Sequence, residues 1–171
     1  MGRPRSFSES AVLEAAAQAF IAGGYEGTSI DDLVKALNLH RGSLYKAFGS
    51  KRGLFLATLR HYVSTRLPNL LQSAAAPGSS LDVLTQRRDL DLLLVAAVER
   101  GGRDAEVAAL VRKALVLLER ATDESGDHAW SDPADRPARA IALLGTRLYE
   151  RLHDDASGAP DRQHRPITKE T

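Results

Sequence analysis

Between residues 28 and 51 the chain reads TSIDDLVKALNLHRGSLYKAFGSK, and this run leaves the backbone little choice beyond two short helices across a tight turn. Thr28, with Asp31 three residues on, reads as the N-cap of the first helix in a capping box. Ile30, Leu33, Val34 and Leu37 then recur at helical spacing. Asn38 sits where the chain must turn, because Asn tolerates the left-handed conformation better than most residues, and Leu39 plugs the turn into the core. In the second helix, roughly 41–47, Leu44 and Phe48 share the inner side at i and i+4. That leaves Arg41, Gly42, Ser43, Tyr45 and Lys46 on or near the outer side, where such donors suit the acceptor-rich edges of a DNA groove.

This stretch, with FIAGGYEGTSI over residues 20–30, the run Arg41–Tyr45, Phe48 and the pair Ser50, Lys51, resembles the tetracycline-repressor (TetR) family of transcriptional regulators. The resemblance covers about the first third of the chain. It implies an all-α protein with a three-helix, helix-turn-helix DNA-binding head and a helical body that dimerises and holds a small apolar or amphipathic effector. Asn38 stands where the family usually has Gly, and His40 where it usually has a Ser or Thr cap, so His40 is either a groove contact or a weak cap. Carried over residue by residue, Arg41, Ser43 and Lys46 face the major groove, and Tyr45 offers its hydroxyl to a phosphate. Lys51 matches the family's phosphate-clamping lysine at a helix start, and Thr28 does the same from its own.

Charge distribution points the same way. Of 23 Lys and Arg and 22 Asp and Glu, residues 1–62 hold eight basic against five acidic groups, leaving 15 against 17 for the remainder. A basic head on a faintly acidic body meets phosphate with one end. The chain has no cysteine, hence no disulfide framework or thiolate metal site. Its longest purely apolar run, Leu92 to Val98, is far short of the roughly 20 residues of a membrane span, and the N-terminus has no apolar signal core. A cytoplasmic protein that does not engage membranes is expected.

Ser8 is expected to cap a first helix through about Ile21, stopped by Gly23 and Gly24, and Ser50 a fourth through about Leu71, weakened by Pro68. Further helices are expected over roughly 81–100, apolar nearly all round from Leu90 to Val98, from Asp104 to about Ala121, and from Asp135 to about His153. The division is then a head at 1–50, an effector-binding and dimerisation body at 51–154, and a tail at 155–171 whose Pro160, Pro166 and polar composition predict disorder.

Within the body, Tyr62, Arg66, Arg88, Asp91 and Arg147 are polar or amphipathic groups on otherwise apolar helices and are the candidates for an effector pocket. Ile141, Leu144, Leu148 and Leu152 form the last helix's apolar face and are the candidates for a homodimer interface. Asp123, Glu124, Asp127 and His128 have hard-ligand chemistry without a recognised metal spacing, so no metal is assigned and no cofactor is implied. No nucleophile elbow, phosphate loop or zinc-protease motif occurs, which argues against an enzyme. The expected partners are a palindromic double-stranded DNA operator, a second copy of the chain and a small-molecule effector. The alternative is an effector-independent dimer whose body is purely structural.

Overall fold

The computed structural model describes residues 8–75, 84, 88, 90–124 and 136–157, and among these there are helices and no strands. Helix α1 (Glu9–Gly27) starts where the Ser8 hydroxyl accepts from the Ala11 N–H at 3.2 Å. It buries Val12, Leu13, Ala16, Ala17 and Phe20, then bends at Gly24, whose φ of 69° is open to glycine and costly for other residues. The helix is six residues longer than its expected end at Ile21, because the bend redirects the chain without terminating it.

Helix α2 (Ile30–Leu37) corrects the expected cap by one residue. Ser29, not Thr28, is the N-cap, and its capping box closes on Asp32, not Asp31. Thr28 is buried instead, and its hydroxyl donates to the carbonyls of Gly24 at 2.5 Å and Ala19 at 3.3 Å. A side chain needed to close the end of α1 cannot also cap α2, so the next hydroxyl does so. Asn38 adopts the expected left-handed conformation at φ 49°. Its N–H donates to Lys35 O and that of Leu39 to Val34 O, a Schellman closure that satisfies the carbonyls at the end of α2.

Helix α3 (Arg41–Phe48) follows, ends at Gly49 with φ 73°, and gives way to α4 (Lys51–His61), capped by Ser50 through the Gly53 N–H at 3.0 Å. A wide π turn, Tyr62–Arg66, carries α4 into α5 (Leu67–Ala74) without leaving helical space, and Leu67 N–H reaches back five residues to Tyr62 O. Pro68, expected to bend or weaken this helix, sits in the first turn after the π segment, where its missing donor is tolerated.

Beyond α5 the chain is described again around Arg88, in the left-handed region at φ 57°, and Leu90, in a turn. A helix continuous from 81 to 100 is therefore excluded: α6 (Asp91–Val95) begins after this turn and runs into a second π stretch, Ala96–Arg100. Leu90 and Leu92–Ala96 are buried as expected, but Val98 is 70% exposed. Asp104 caps α7 (Ala105–Glu124) through the N–H groups of Glu106 and Val107. The last helix, α8 (Arg136–Ser157), lies against α7 and continues three residues past the boundary expected at 154. Residues 158–171 lie outside those described, as do Asp127 and His128.

One continuous core joins these elements, from Val12 and Phe20 on α1 through Leu33, Leu44, Leu54 and Phe55 to Leu92, Val107, Leu118 and Ala140. At the junction of α3 with α4 the backbone approaches itself closely, so that a Cβ at Gly53 would run into the Phe48 carbonyl oxygen. Nothing lies within 4 Å of a Cβ built on Gly42. Gly53→Ala is thus expected to cost about 1–3 kcal/mol and lower the melting temperature by several degrees, whereas Gly42→Ala raises stability by about 0.4–1 kcal/mol; thermal melts of the two variants check the opposite signs.

Candidate nucleic-acid interface and body cavity

Helix α3 is held to the molecule by Leu44, fully buried, and Phe48, half-buried. All its other residues are exposed, as is the residue before it, so His40, Arg41, Gly42, Ser43, Tyr45 and Lys46 are all open to solvent. His40 occupies the cap position and makes no side-chain cap bond. Arg41 pairs with Asp31 at 2.7 Å, with both side chains more than half exposed, and such a surface pair contributes only about 0–1 kcal/mol. Opening it to meet another acceptor costs little. The face carries donors and no acid, and a rod of this width matches a DNA major groove.

Two residues assigned to phosphate by resemblance have other engagements. Thr28 points its hydroxyl inward, as described above. Lys51 is half-buried, and its ammonium donates to the carbonyls of Tyr25 at 2.9 Å and Thr28 at 3.1 Å and lies 4.6 Å from the centre of the Tyr25 ring. It ties the end of α1 to the start of α4.

The same bend in α1 is gripped from the body. Glu99 Oε2 accepts from the Glu26 N–H at 2.8 Å, and its other oxygen lies where a Cβ on Gly24 would go. Arg100 stacks 4.7 Å from the Tyr25 ring centre and pairs with Glu26 at 3.3 Å. Beside it, Arg52 holds both oxygens of Asp104, at 2.7 and 2.9 Å, and Glu106 bridges Arg52 and Arg60. None of these pairings was foreseen from sequence, since their partners lie 46 to 75 residues apart.

A cavity of about 300 Å³ opens between α1, the π turn after α4, the segment at Arg88, α6 and α8. Four of the five expected residues line it: Tyr62, Arg66, Arg88 and Asp91. Arg147 does not; it stands behind Asp91 and holds both carboxylate oxygens, at 2.6 and 3.0 Å, with each side chain 2% exposed. The bond to Asp91 pushes the Arg147 guanidinium pKa up. Sequence reasoning missed Arg151, which also lines the cavity and donates to Ile21 O at 2.9 Å. Its spacing of four from Arg147 was the available signal, since it puts both on one face of α8.

The outer face of α8 is apolar. Ile141 and Leu148 are 61% and 40% exposed, with Tyr149 beside them. Leu144 is half-buried and packs in part against the molecule's own core, and the side chain of Leu152 is outside the described residues.

With this geometry in view, residues 12–58 match the family described as bacterial regulatory proteins, tetR family. The matched stretch takes in most of α1, all of α2 and α3 and the first part of α4. The chain is 40% identical over 79 residues to the uncharacterised HTH-type transcriptional regulator YezE of Bacillus subtilis, covering 46% of this chain and 41% of that protein. It is 41% identical over 83 residues to the HTH-type transcriptional repressor BdcR of Escherichia coli, covering 47% and 42%. The chain thus spans about two fifths of the length of either relative. In fold it is similar to reduced NemR of E. coli, with a TM-score of 0.55 and 22% identity over 85% of this chain and 86% of that one. YezE and BdcR both carry the names of HTH-type transcriptional regulators. No helix among the described residues is long and apolar enough to cross a membrane.

The grip on the bend in α1 has a pH signature. Arg52, and after it the Val107 N–H and Arg100, hold the Asp104 carboxyl well below the usual carboxylate range. A depressed pKa stabilises the fold at pH values above the unfolded-state value of about 3.9, and this is lost as pH falls through the folded-state value. Asp104→Asn is therefore expected to lower the melting temperature by several degrees at pH 7, with the gap to the unsubstituted protein closing as pH drops below about 4.

Proposed function

We propose that this chain is a TetR-family transcriptional repressor that binds a near-palindromic operator as a homodimer and is released by a small molecule entering the body. The observation that carries the first part is α3 itself, which buries one leucine and turns a contiguous set of small, polar and basic residues outward. Arg41 and Ser43 read base edges, His40, Tyr45 and Lys46 take edges or phosphates, and Gly42 lets the helix approach closely. Lys51 and Thr28 contribute by fixing the angle at which α2 and α3 leave α1. The working division is a reader at 1–50 and a regulatory body at 51–154.

Two copies place two α3 helices in successive major grooves when the half-sites lie about one helical turn apart. The exposed Ile141, Leu148 and Tyr149 stripe is the surface that brings the copies together. An effector acts through α6. That helix starts at the cavity wall with Asp91 and Leu92, and about 12 Å later the π stretch that continues it holds, through Glu99 and Arg100, the bend from which the reader hangs. A ligand that prefers a different seating of α6 lowers DNA affinity by its differential binding to the two states. This strut favours the ligand-responsive reading over an effector-independent dimer.

On DNA selected from a random pool, Arg41→Ala is expected to lose roughly 1–3 kcal/mol of specific binding and to blur preference at one base pair. Lys46→Ala weakens all sequences alike and reduces the slope of log affinity against log salt by about one. Fluorescence anisotropy across sequence variants and salt concentrations separates the two roles; an unchanged base preference in Arg41→Ala removes that residue from direct readout.

For the assembly, replacing Ile141 and Leu148 together with Asp is expected to halve the mass seen by light scattering and leave the helical circular dichroism intact, since both side chains are exposed in the single chain.

A further inference from the structure

A carboxylate and a guanidinium meet in solvent between α2 and the start of α3. Arg41 Nη2 donates to Asp31 Oδ1 at 2.7 Å across a separation of ten residues. We infer that Asp31 is a positioning residue, which holds the Arg41 guanidinium in the pose that meets a guanine and so sets base preference at one position without touching a base; this rests on the reading of Arg41 as a base-reading residue. Asp31 Oδ1 accepts one of the two Nη2 hydrogens. The other, with a neighbouring N–H of the same planar group, still presents the two-pronged edge that fits guanine O6 and N7. The pair is cheap to open, but reading a guanine does not require it to open.

Two neighbouring carboxylates open α2, and they have different engagements. Asp32 closes the capping box, accepting from the Ser29 N–H at 3.0 Å and from its hydroxyl at 2.6 Å. Asp31 takes no part in the cap. It sits in the first turn of α2, where the positive end of the helix favours a carboxylate, and reaches across to Arg41. Arg41 is the first residue of α3, where the end of a helix presents N–H groups rather than carbonyls and gives a cation no seat of its own. Asp31 supplies that seat, at the N-terminal end of the reading helix from which base edges are contacted. A long, freely rotating side chain loses rotamer freedom when it docks, and a guanidinium already tethered at one nitrogen loses less. When DNA covers the pair and water leaves, the tether strengthens. Nothing lies within 4 Å of a Cβ built on Gly42, so the approach beside Arg41 is open. An acid in this place also repels the phosphates of every sequence alike, so it lowers general affinity while it sharpens choice.

Fluorescence anisotropy of the full chain on a duplex selected from a random pool, on its single-base-pair variants and on an unrelated duplex tests this. Asp31→Ala is expected to lower preference about three- to tenfold at the same base pair that Arg41→Ala blurs, a part of the roughly five- to hundredfold discrimination that a bidentate contact supplies, and to leave the other positions alone. Binding to the unrelated duplex is expected to hold or to rise by about twofold, since a negative charge has gone. Asp31→Asn, which keeps the shape and loses the charge, falls between, and Asp31→Glu keeps part of the preference. The double variant Asp31→Ala with Arg41→Ala is no less selective than Arg41→Ala alone, because the acid acts through the arginine. Thermal melts establish that the variants are folded. Undiminished preference at that base pair in Asp31→Ala overturns the positioning role and leaves Arg41 as the reader. Tighter operator binding with a sharper preference overturns it too, by making Asp31 a competitor for Arg41. Equal weakening on every duplex also overturns it, by making Asp31 a support for the fold. An unchanged preference in Arg41→Ala overturns the role of Asp31 together with the reading of Arg41.

Discussion

The bend at Gly24 is the point on which the other elements hang, and it is maintained by packing around Tyr25. The ring meets Phe55 edge-on at 4.8 Å and lies near-parallel to Phe20 at 6.0 Å, while Lys51 and Arg100 each bring a cation to within 5 Å of its centre. Burial and aromatic contact hold the ring, and the ring in turn gives two cations from distant parts of the chain a shared seat. Burial also pushes the Tyr25 hydroxyl pKa up, so the phenol stays neutral between them. If the bend opened, Thr28 would lose its carbonyl partners, α2 would change direction, and α3 would no longer present its face at the same angle.

The two π stretches are placed where this coupling needs room. The first contributes Tyr62 and Arg66 to the cavity wall, and the second ends in the Glu99 and Arg100 that grip the bend. A π turn widens the helix by one residue and re-aims the side chains after it, which is why such turns gather at functional places. Here one re-aims residues toward a cavity and the other toward the head.

Electrostatics divides along the same line. On α3 the basic groups stand in solvent, and the one ion pair there, Arg41 with Asp31, is exposed and easily exchanged. In the body the arginines are committed: Arg147 to a buried carboxylate, Arg52 to Asp104 and Glu106, Arg151 to a carbonyl. Removing one member of the buried pair would leave an uncompensated charge at a cost of about 3–5 kcal/mol, whereas truncating a basic group on α3 leaves the fold largely unaffected. The surface that changes partners is thus separate from the charges that keep the shape.

What the sequence determined by itself is local. Helical spacing marked the inner faces of α1 to α4 and of α7, the hydroxyls of Ser8 and Ser50 and the carboxylate of Asp104 marked three helix starts, and Asn38 marked a left-handed turn, because each signal is complete within one or two turns of chain. The outward face of α3 was legible for the same reason. Where two hydroxyls stood side by side, local reasoning chose Thr28 over Ser29, since it could not see that the end of α1 claims the first. Glu99 and Arg151 carried no readable local signal, and the bonds that Lys51 makes within the head were not foreseen. Their partners are Glu26, Ile21 and Tyr25, residues that only the tertiary packing brings within reach, and a hydrophobic period says which face of a helix is buried but not which other face it meets.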